Sequence, residues 1–213
     1  MRKVFISTVI LNAINKDQPV RYESRDLELG DKRFLAPICY LVDGNIEEGD
    51  DILIVTGIQA ADRPKENYRL IKQELDDILA SHHATATFVE VTEPDVNSSE
   101  REKNDALTFS EFFKEIADNI KDEDKIYADM SYGLKCYTLA MFISLCYAVK
   151  ACRSVEMGCM VYADLYHGQE KVADEKVADI VDITTLFHIN TIVCDARPGQ
   201  KKDMDRFLKF LIG

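Results

Sequence analysis

The sequence lacks most signatures that would name a chemistry outright. No C-x-x-C pair occurs among its six cysteines, Cys39, Cys136, Cys146, Cys152, Cys159 and Cys194, which argues against a zinc site. No G-x-G-x-x-G follows the first apolar run, so the dinucleotide-binding fingerprint is missing. The almost wholly apolar stretch 136–149 is too short to span a bilayer and reads as a buried helix. There is no internal repeat and no low-complexity linker. Basic surplus is also missing: 38 Asp and Glu stand against 26 Lys and Arg, for a net charge of -12. Coating duplex DNA or RNA requires a basic face, so that partner class is disfavoured. A small anion is still compatible, because a few backbone N–H groups and one lysine suffice to hold phosphate.

What is there fits one domain of ordinary size. The chain has 213 residues and a hydrophobic fraction of 46%, enough for a real core. Arg2 and Lys3 precede an apolar run at 4–11 and so imitate a signal peptide. Asn12, Lys16 and Asp17 follow without a small-residue cleavage site, and a buried first strand is the better reading. Cys136, Cys146 and Cys159 lie in apolar runs, where free thiols behave as small hydrophobes; the cysteines read as reduced thiols of a cytoplasmic protein.

Strand and helix patterns alternate along the chain. Strands are expected at 4–11, 51–56, 87–91, 125–130, 155–165 and 177–183, with a turn and an extended piece over 12–23. Gly57 reads as the end of the second strand. Helices are expected at 34–42 (broken early by Pro37), 64–81, from Thr108 onward, 133–150, 184–194 and 203–211. Tyr68, Ile71, Leu75 and Ile78 share one face of the second helix. Thr108 with Glu111 reads as a capping box, the stretch 94–105 as a surface loop, and 167–175 as a polar connection. Strands that are apolar throughout and separated by helices imply an α/β fold. The expected form is a Rossmann-like three-layer sandwich, its sheet mostly parallel, with the last two strands an antiparallel addition at its edge. Ligands of such sheets bind beyond the carboxyl ends of the strands where the strand order reverses. That rule directs attention to 7–12, 56–59 and 129–135.

The most informative segment is Tyr127-Ala128-Asp129-Met130-Ser131-Tyr132-Gly133-Leu134-Lys135. An apolar strand ends in Asp129, a short turn follows, and a helix starts. Ser131 can cap that helix or donate to a phosphate oxygen, and Gly133 permits close approach of a ligand. A helix N-terminus favours an anion, so Lys135 in the first turn is electrostatically misplaced unless an anion meets it. The bland reading stands beside this one: Asp129 and Ser131 merely cap, and Lys135 points into water.

These residues resemble the CARF (CRISPR-associated Rossmann fold) family. Its strand-to-helix turn carries an acidic or amide residue, Ser or Thr two on, and Lys or Arg four further on. Asp129, Ser131 and Lys135 have that spacing. A subgroup reads Asp-x-Thr-His-Gly where this chain reads Asp129-Met130-Ser131-Tyr132-Gly133, with Ser for Thr and Tyr for His. The order of the flanking parts also matches: the strand at 4–11, Tyr22, the segment beginning at Phe34, the turn at Thr56-Gly57, and Val181-Asp182-Ile183-Thr184-Thr185-Leu186. The first loop lacks the glycine pair common in the family. The resemblance covers residues 3–196. It implies a domain at 1–196 with a helical tail at 197–213, and a homodimer around a two-fold axis. The implied ligand is a cyclic oligoadenylate of type III CRISPR antiviral signalling, with cyclic tetra-adenylate foremost; no cofactor and no metal are implied. By carry-over, Asp129, Ser131, Tyr132, Gly133 and Lys135 would line the cleft. Ser7 or Thr8, Asn12, Thr56 and Gly57 would contribute the remainder, with strand register deciding between Ser7 and Thr8.

Family members usually fuse this sensor to an effector, yet after it only 197–213 remains. No histidine has an arginine at the Arg-x4–6-His spacing of a HEPN ribonuclease. An excised sensor, a stand-alone sensor with a separate effector, and a ring nuclease all remain open. The ring nuclease would use no metal: the ribose 2′-OH attacks its own 3′-phosphate, Lys135 stabilises charge and Ser131 positions the ring. A generic nucleotide-binding Rossmann-like protein is the reading outside the family.

Other features have blander explanations. His82-His83 would point to opposite faces of a strand and read as a helix end; His167 is isolated and His188 a core or interface residue. Glu47, Glu48, Asp50 and Asp51 lack calcium-loop spacing and read as a solvated turn. Tyr162 and Tyr166 are candidates for stacking on adenine, and Tyr137 for packing. The helix over 136–149 is more apolar than one sheet face requires, which suggests a dimer interface.

Overall fold

The computed structural model describes residues 1–93, 105–164, 176–197 and 199–212. In chain order its elements are β1 (Lys3–Thr8), β2 (Val20–Glu23), β3 (Arg33–Phe34), α1 (Pro37–Asn45), β4 (Ile52–Gln59), α2 (Asp62–Ser81) and β5 (Ala86–Glu93). They continue with α3 (Asp105–Asp118), β6 (Lys125–Asp129), α4 (Lys135–Ala151), β7 (Glu156–Asp164), β8 (Val177–Asp182), α5 (Thr184–Asp195) and α6 (Lys201–Ile212). The strands form one sheet in the order β3-β2-β8-β7-β6-β1-β4-β5. The run from β7 through β5 is parallel, β8 runs against β7, and β3 against β2.

Side-chain alternation along the central strands divides the core into two layers. Phe5, Ile52 and Ile54 face Ile38 and Leu41 of α1 and Ile71 and Leu75 of α2. Val4, Ile6, Leu53 and Val55 face Phe112 of α3, Tyr137, Met141 and Leu145 of α4, and Phe187 of α5. Both faces of β1 and β4 are therefore covered, which is why their runs 4–6 and 52–55 are apolar without interruption. Phe5, Ile6 and Ile54 are fully buried, and each such side chain stabilises the fold by about 1.5–3 kcal/mol relative to exposure. The result is the α/β Rossmann-like sandwich expected from the sequence.

Several local expectations are corrected. Pro37 does not break a helix but starts one: it occupies the first turn of α1, where its missing N–H is not needed. Phe34, upstream, pairs with Val20 in the β2–β3 hairpin instead. Gly57 does not end β4, which continues to Gln59 and pairs Gly57 with both Thr8 and Val91. The last two strands, β7 and β8, do pair antiparallel, but β2 joins the far side of β8, so the antiparallel pair at the edge of the sheet is the β2–β3 hairpin. α3 begins at Asp105, before the expected capping box at Thr108. α4 begins at Lys135 and not at Gly133, whose φ of +92° is incompatible with a right-handed helix. Residues 94–104 of the loop expected over 94–105, the connection at 167–175, and with them His167 and Tyr166, lie outside the described residues, and Asp105 starts α3. No described helix is long and apolar enough to cross a membrane.

Candidate functional site

β1 is the point of reversal in this sheet. After the β2–β3 hairpin, which lies at the far edge, the chain builds outward from β1 through β4 and β5, then returns to place β6 and β7 on the other side. A crevice therefore opens beyond the carboxyl ends of β1 and β6. Ser7 and Asp129 are register partners at that point, so the first strand and the Asp129–Lys135 segment meet.

The turn after β6 is held from several directions. The Ser131 N–H donates to Asp129 Oδ1 at 2.9 Å. The Ala163 N–H of β7 donates to Ser131 Oγ at 2.8 Å. Thr8 Oγ1 and, at 3.2 Å, Thr138 Oγ1 both donate to the Tyr132 carbonyl. Gly133 is required twice over: besides its positive φ, a Cβ there would stand 2.6 Å from Thr8 Oγ1, closer than any side chain tolerates. Thr8, and not Ser7, is therefore the β1 residue that touches the turn.

Three contiguous clefts share Tyr132 in their walls. One, between β1, β6 and β7, is lined by Asn12, Ser131, Gly133 and Tyr162 among others. A second, at the start of α4, adds Lys135, Thr138, Leu139 and Phe142. The third has apolar walls with the amides Asn12, Asn15 and Gln18 and the cation Lys176. Their volumes, 250, 450 and 180 Å3, put the combined groove in the range of nucleotide-sized sites.

The helix N-terminus at this groove is bare. Leu134 occupies the cap position, no side chain caps the helix, and its first turn holds no acid. Ser131, expected as a cap, is instead tied to β7 and Asp129. The first backbone N–H groups of α4 thus lack intrahelical acceptors. Lys135, its first residue, is exposed and pairs with no described carboxylate. At this end the groove therefore combines backbone donors, a positive helix end and the cation Lys135, with Lys176 in the third cleft, an arrangement suited to phosphate.

Asp129 lies beneath this surface rather than in it. It is 1% exposed, and burial pushes its pKa up to about 6, against the downward pull of the Ser131 hydroxyl and N–H and of the Ile38 N–H in α1. Behind the turn, Tyr22 is buried beside Tyr132; burial first, then Tyr132 and Asp129, push its pKa up. Burial likewise raises Cys39, with Glu74 adding to it. Ser7 and Thr56 are each 3% exposed and paired within the sheet, and Gly57 is buried beside Thr8; these three do not line the clefts. Asn12 does.

Sequence reasoning missed Asn67. It is buried on α2 and grips the first loop: its Nδ2 donates to the carbonyls of Ile10 at 2.7 Å and Asn12 at 2.9 Å, and its Oδ1 accepts from the Ile14 N–H at 3.2 Å. A lone polar residue among the apolar positions of α2 was the available signal. The amide cluster Asn12, Asn15 and Gln18 was also legible as a run, though not as a pocket wall.

The remaining candidates fall elsewhere. His82 lies 3.2 Å from Asp43, and Asp50 pairs with Lys3 at 2.7 Å and accepts from the Glu47 N–H. Among the described residues no three His, Cys, Asp or Glu side chains gather as a metal would need. All six cysteines are free thiols. No family model matches the chain, and no curated protein matches it.

Proposed function

We propose that the protein is a dimeric CARF-type sensor that binds a cyclic oligoadenylate, cyclic tetra-adenylate foremost, in type III CRISPR antiviral signalling. Lys135 carries this reading. A lysine with no described carboxylate partner, as the first residue of an uncapped helix, opposes the helix dipole by about 0.3–1 kcal/mol, and an anion at that end turns the opposition into attraction. The neighbouring surfaces suit the rest of an adenylate. Tyr162 is 43% exposed in the groove wall and offers a ring for base stacking, while Asn12, Asn15 and Gln18 offer paired donors and acceptors to a base edge.

The same helix supports dimerisation. Leu139, Ile143 and Tyr147 are 59%, 48% and 54% exposed and recur at four-residue spacing along one face of α4. Leu139 also lines the Lys135 cleft. An apolar stripe that begins at the ligand groove lets a second copy bring its own groove alongside, as a two-fold symmetric ring ligand requires.

The deciding experiment incubates the purified protein and a Lys135→Ala variant with radiolabelled cyclic tetra- and hexa-adenylate. Native gels read binding and denaturing gels read integrity. Binding of intact ring is expected, weakened at least about tenfold in the variant by loss of a charge-assisted contact. Metal-independent conversion to linear adenylate would replace the sensor by a ring nuclease. Failure to bind either ring would overturn the family reading.

A further inference from the structure

A second groove lies on the other side of β1, beyond the ends of β4 and β5, and shares no residue with the clefts around Tyr132. Its volume is 450 Å3, and its walls include Lys65, Tyr68, Arg69 and Lys72 of α2 and Glu90 and Thr92 of β5. Three cations on one helix face, at spacings of four and three residues, stand out in a chain of net charge -12. They are not equivalent. Lys72 is engaged, its Nζ 3.0 Å from Asp76 and 3.9 Å from the Phe88 ring centre. Lys65 and Arg69 are exposed and pair with no described carboxylate.

An independent observation comes from Tyr68. This residue is 5% exposed and lines the groove; its buried hydroxyl makes no well-formed hydrogen bond and faces the Glu90 carboxylate within hydrogen-bonding reach. A hydroxyl held by so loose a contact can turn to a ligand oxygen in the groove, which would complete its hydrogen bonding. Glu90 stands on the same wall and near enough to disfavour ionisation of Tyr68, after burial itself. A simple anion would be repelled by Glu90, whereas a ligand bearing both a phosphoryl group and hydroxyls would use it.

We propose that this groove binds a phosphomonoester of a polyol, a sugar phosphate or mononucleotide in chemical class. The phosphoryl oxygens accept from Lys65 and Arg69, a geometry that guanidinium supports with paired donors. The Tyr68 hydroxyl donates to a ligand oxygen, and a ligand hydroxyl donates to Glu90. This site is separate from the cyclic oligoadenylate reading and does not depend on it.

The test titrates the protein with ribose 5-phosphate, inorganic phosphate and ribose separately, by calorimetry and 31P line broadening, up to about 10 mM. Ribose 5-phosphate is expected to bind, inorganic phosphate more weakly, and ribose not at all. Lys65→Ala and Arg69→Ala should each weaken ribose 5-phosphate about tenfold, and Tyr68→Phe about threefold or more with the unfolding midpoint held. Glu90→Gln should narrow the gap between ribose 5-phosphate and phosphate, and the binding that depends on Lys65 and Arg69 should persist in Lys135→Ala. The proposal is overturned by absence of ribose 5-phosphate binding, by binding that survives the Lys65→Ala/Arg69→Ala double variant, or by phosphate binding as tightly as its ester.

Discussion

Asp129 is the residue whose burial and charge pull in opposite directions. Its pKa of about 6, against an ordinary 3.8, makes the fold itself sensitive to pH. Below 3.8 the group holds its proton in both folded and unfolded chains. Between 3.8 and 6 the folded chain keeps a proton that the unfolded chain releases, so stability falls as pH rises through that window. By pH 7 the loss amounts to about 3 kcal/mol. Asp129→Asn is expected to remove this component, and urea unfolding from pH 4 to 7 would read it as the difference between the two proteins. Glu74, also raised by burial, contributes equally to both and cancels. A wild-type slope unchanged in the variant would show that Asp129 does not titrate in the window. The sequence made Asp129 visible as the last residue of a strand, two before a serine. It could not show that α1 would lie across it, because that contact is made with Ile38, some ninety positions away.

At the scale of elements, legibility followed periodicity. β1 and β4 were clear as β-branched apolar runs, β6 as a short apolar run, α2 as an amphipathic helix, and β2 as the extended piece near Tyr22. The errors fell where one residue type serves two purposes. Pro37 reads as a breaker in mid-helix and as a starter at the first turn, and only the boundary distinguishes them. Gly57 reads as a turn but sits inside β4, where β1 and β5 flank it on either side. α4 shows the converse, a pattern whose excess carries information. Its inner face packs on β6, and its outer face still presents Leu139, Ile143 and Tyr147, the last edge-on to Phe113 at 5.5 Å. If this face is the dimer contact, Ile143→Glu places a charge at its centre and should yield a monomer by light scattering at micromolar concentration. Because Ile143 is half exposed in the protomer, its replacement should change protomer stability by only about 0.5 kcal/mol, which separates lost association from lost fold. A dimer that persists in Ile143→Glu would remove α4 from the interface.

At the scale of the whole molecule the protein is an acidic body with a few cationic openings. On the proposed sensor reading, a net charge of -12, doubled in a dimer, would repel a cyclic tetra-adenylate that itself carries four phosphates. At about 0.01 M salt the Debye length reaches about 30 Å and the net charge acts first on an approaching ligand; at about 0.1 M it shrinks to about 10 Å, the long-range repulsion is largely screened, and Lys135 and the end of α4 dominate at contact. Proteins that hold nucleic acid on a basic face lose affinity steeply as salt rises. Here the two ranges oppose each other, and salt screens the long-range repulsion more than the close contact. The association rate for cyclic tetra-adenylate is therefore expected to rise between about 20 and 150 mM salt, while the dissociation rate, set by the local contacts, rises less. Stopped-flow binding with a fluorescent adenylate ring measures both. An association rate that falls with salt would mean that the positive field of the groove extends past the acidic surface, and the cations around Lys135 would then steer the ligand as well as hold it.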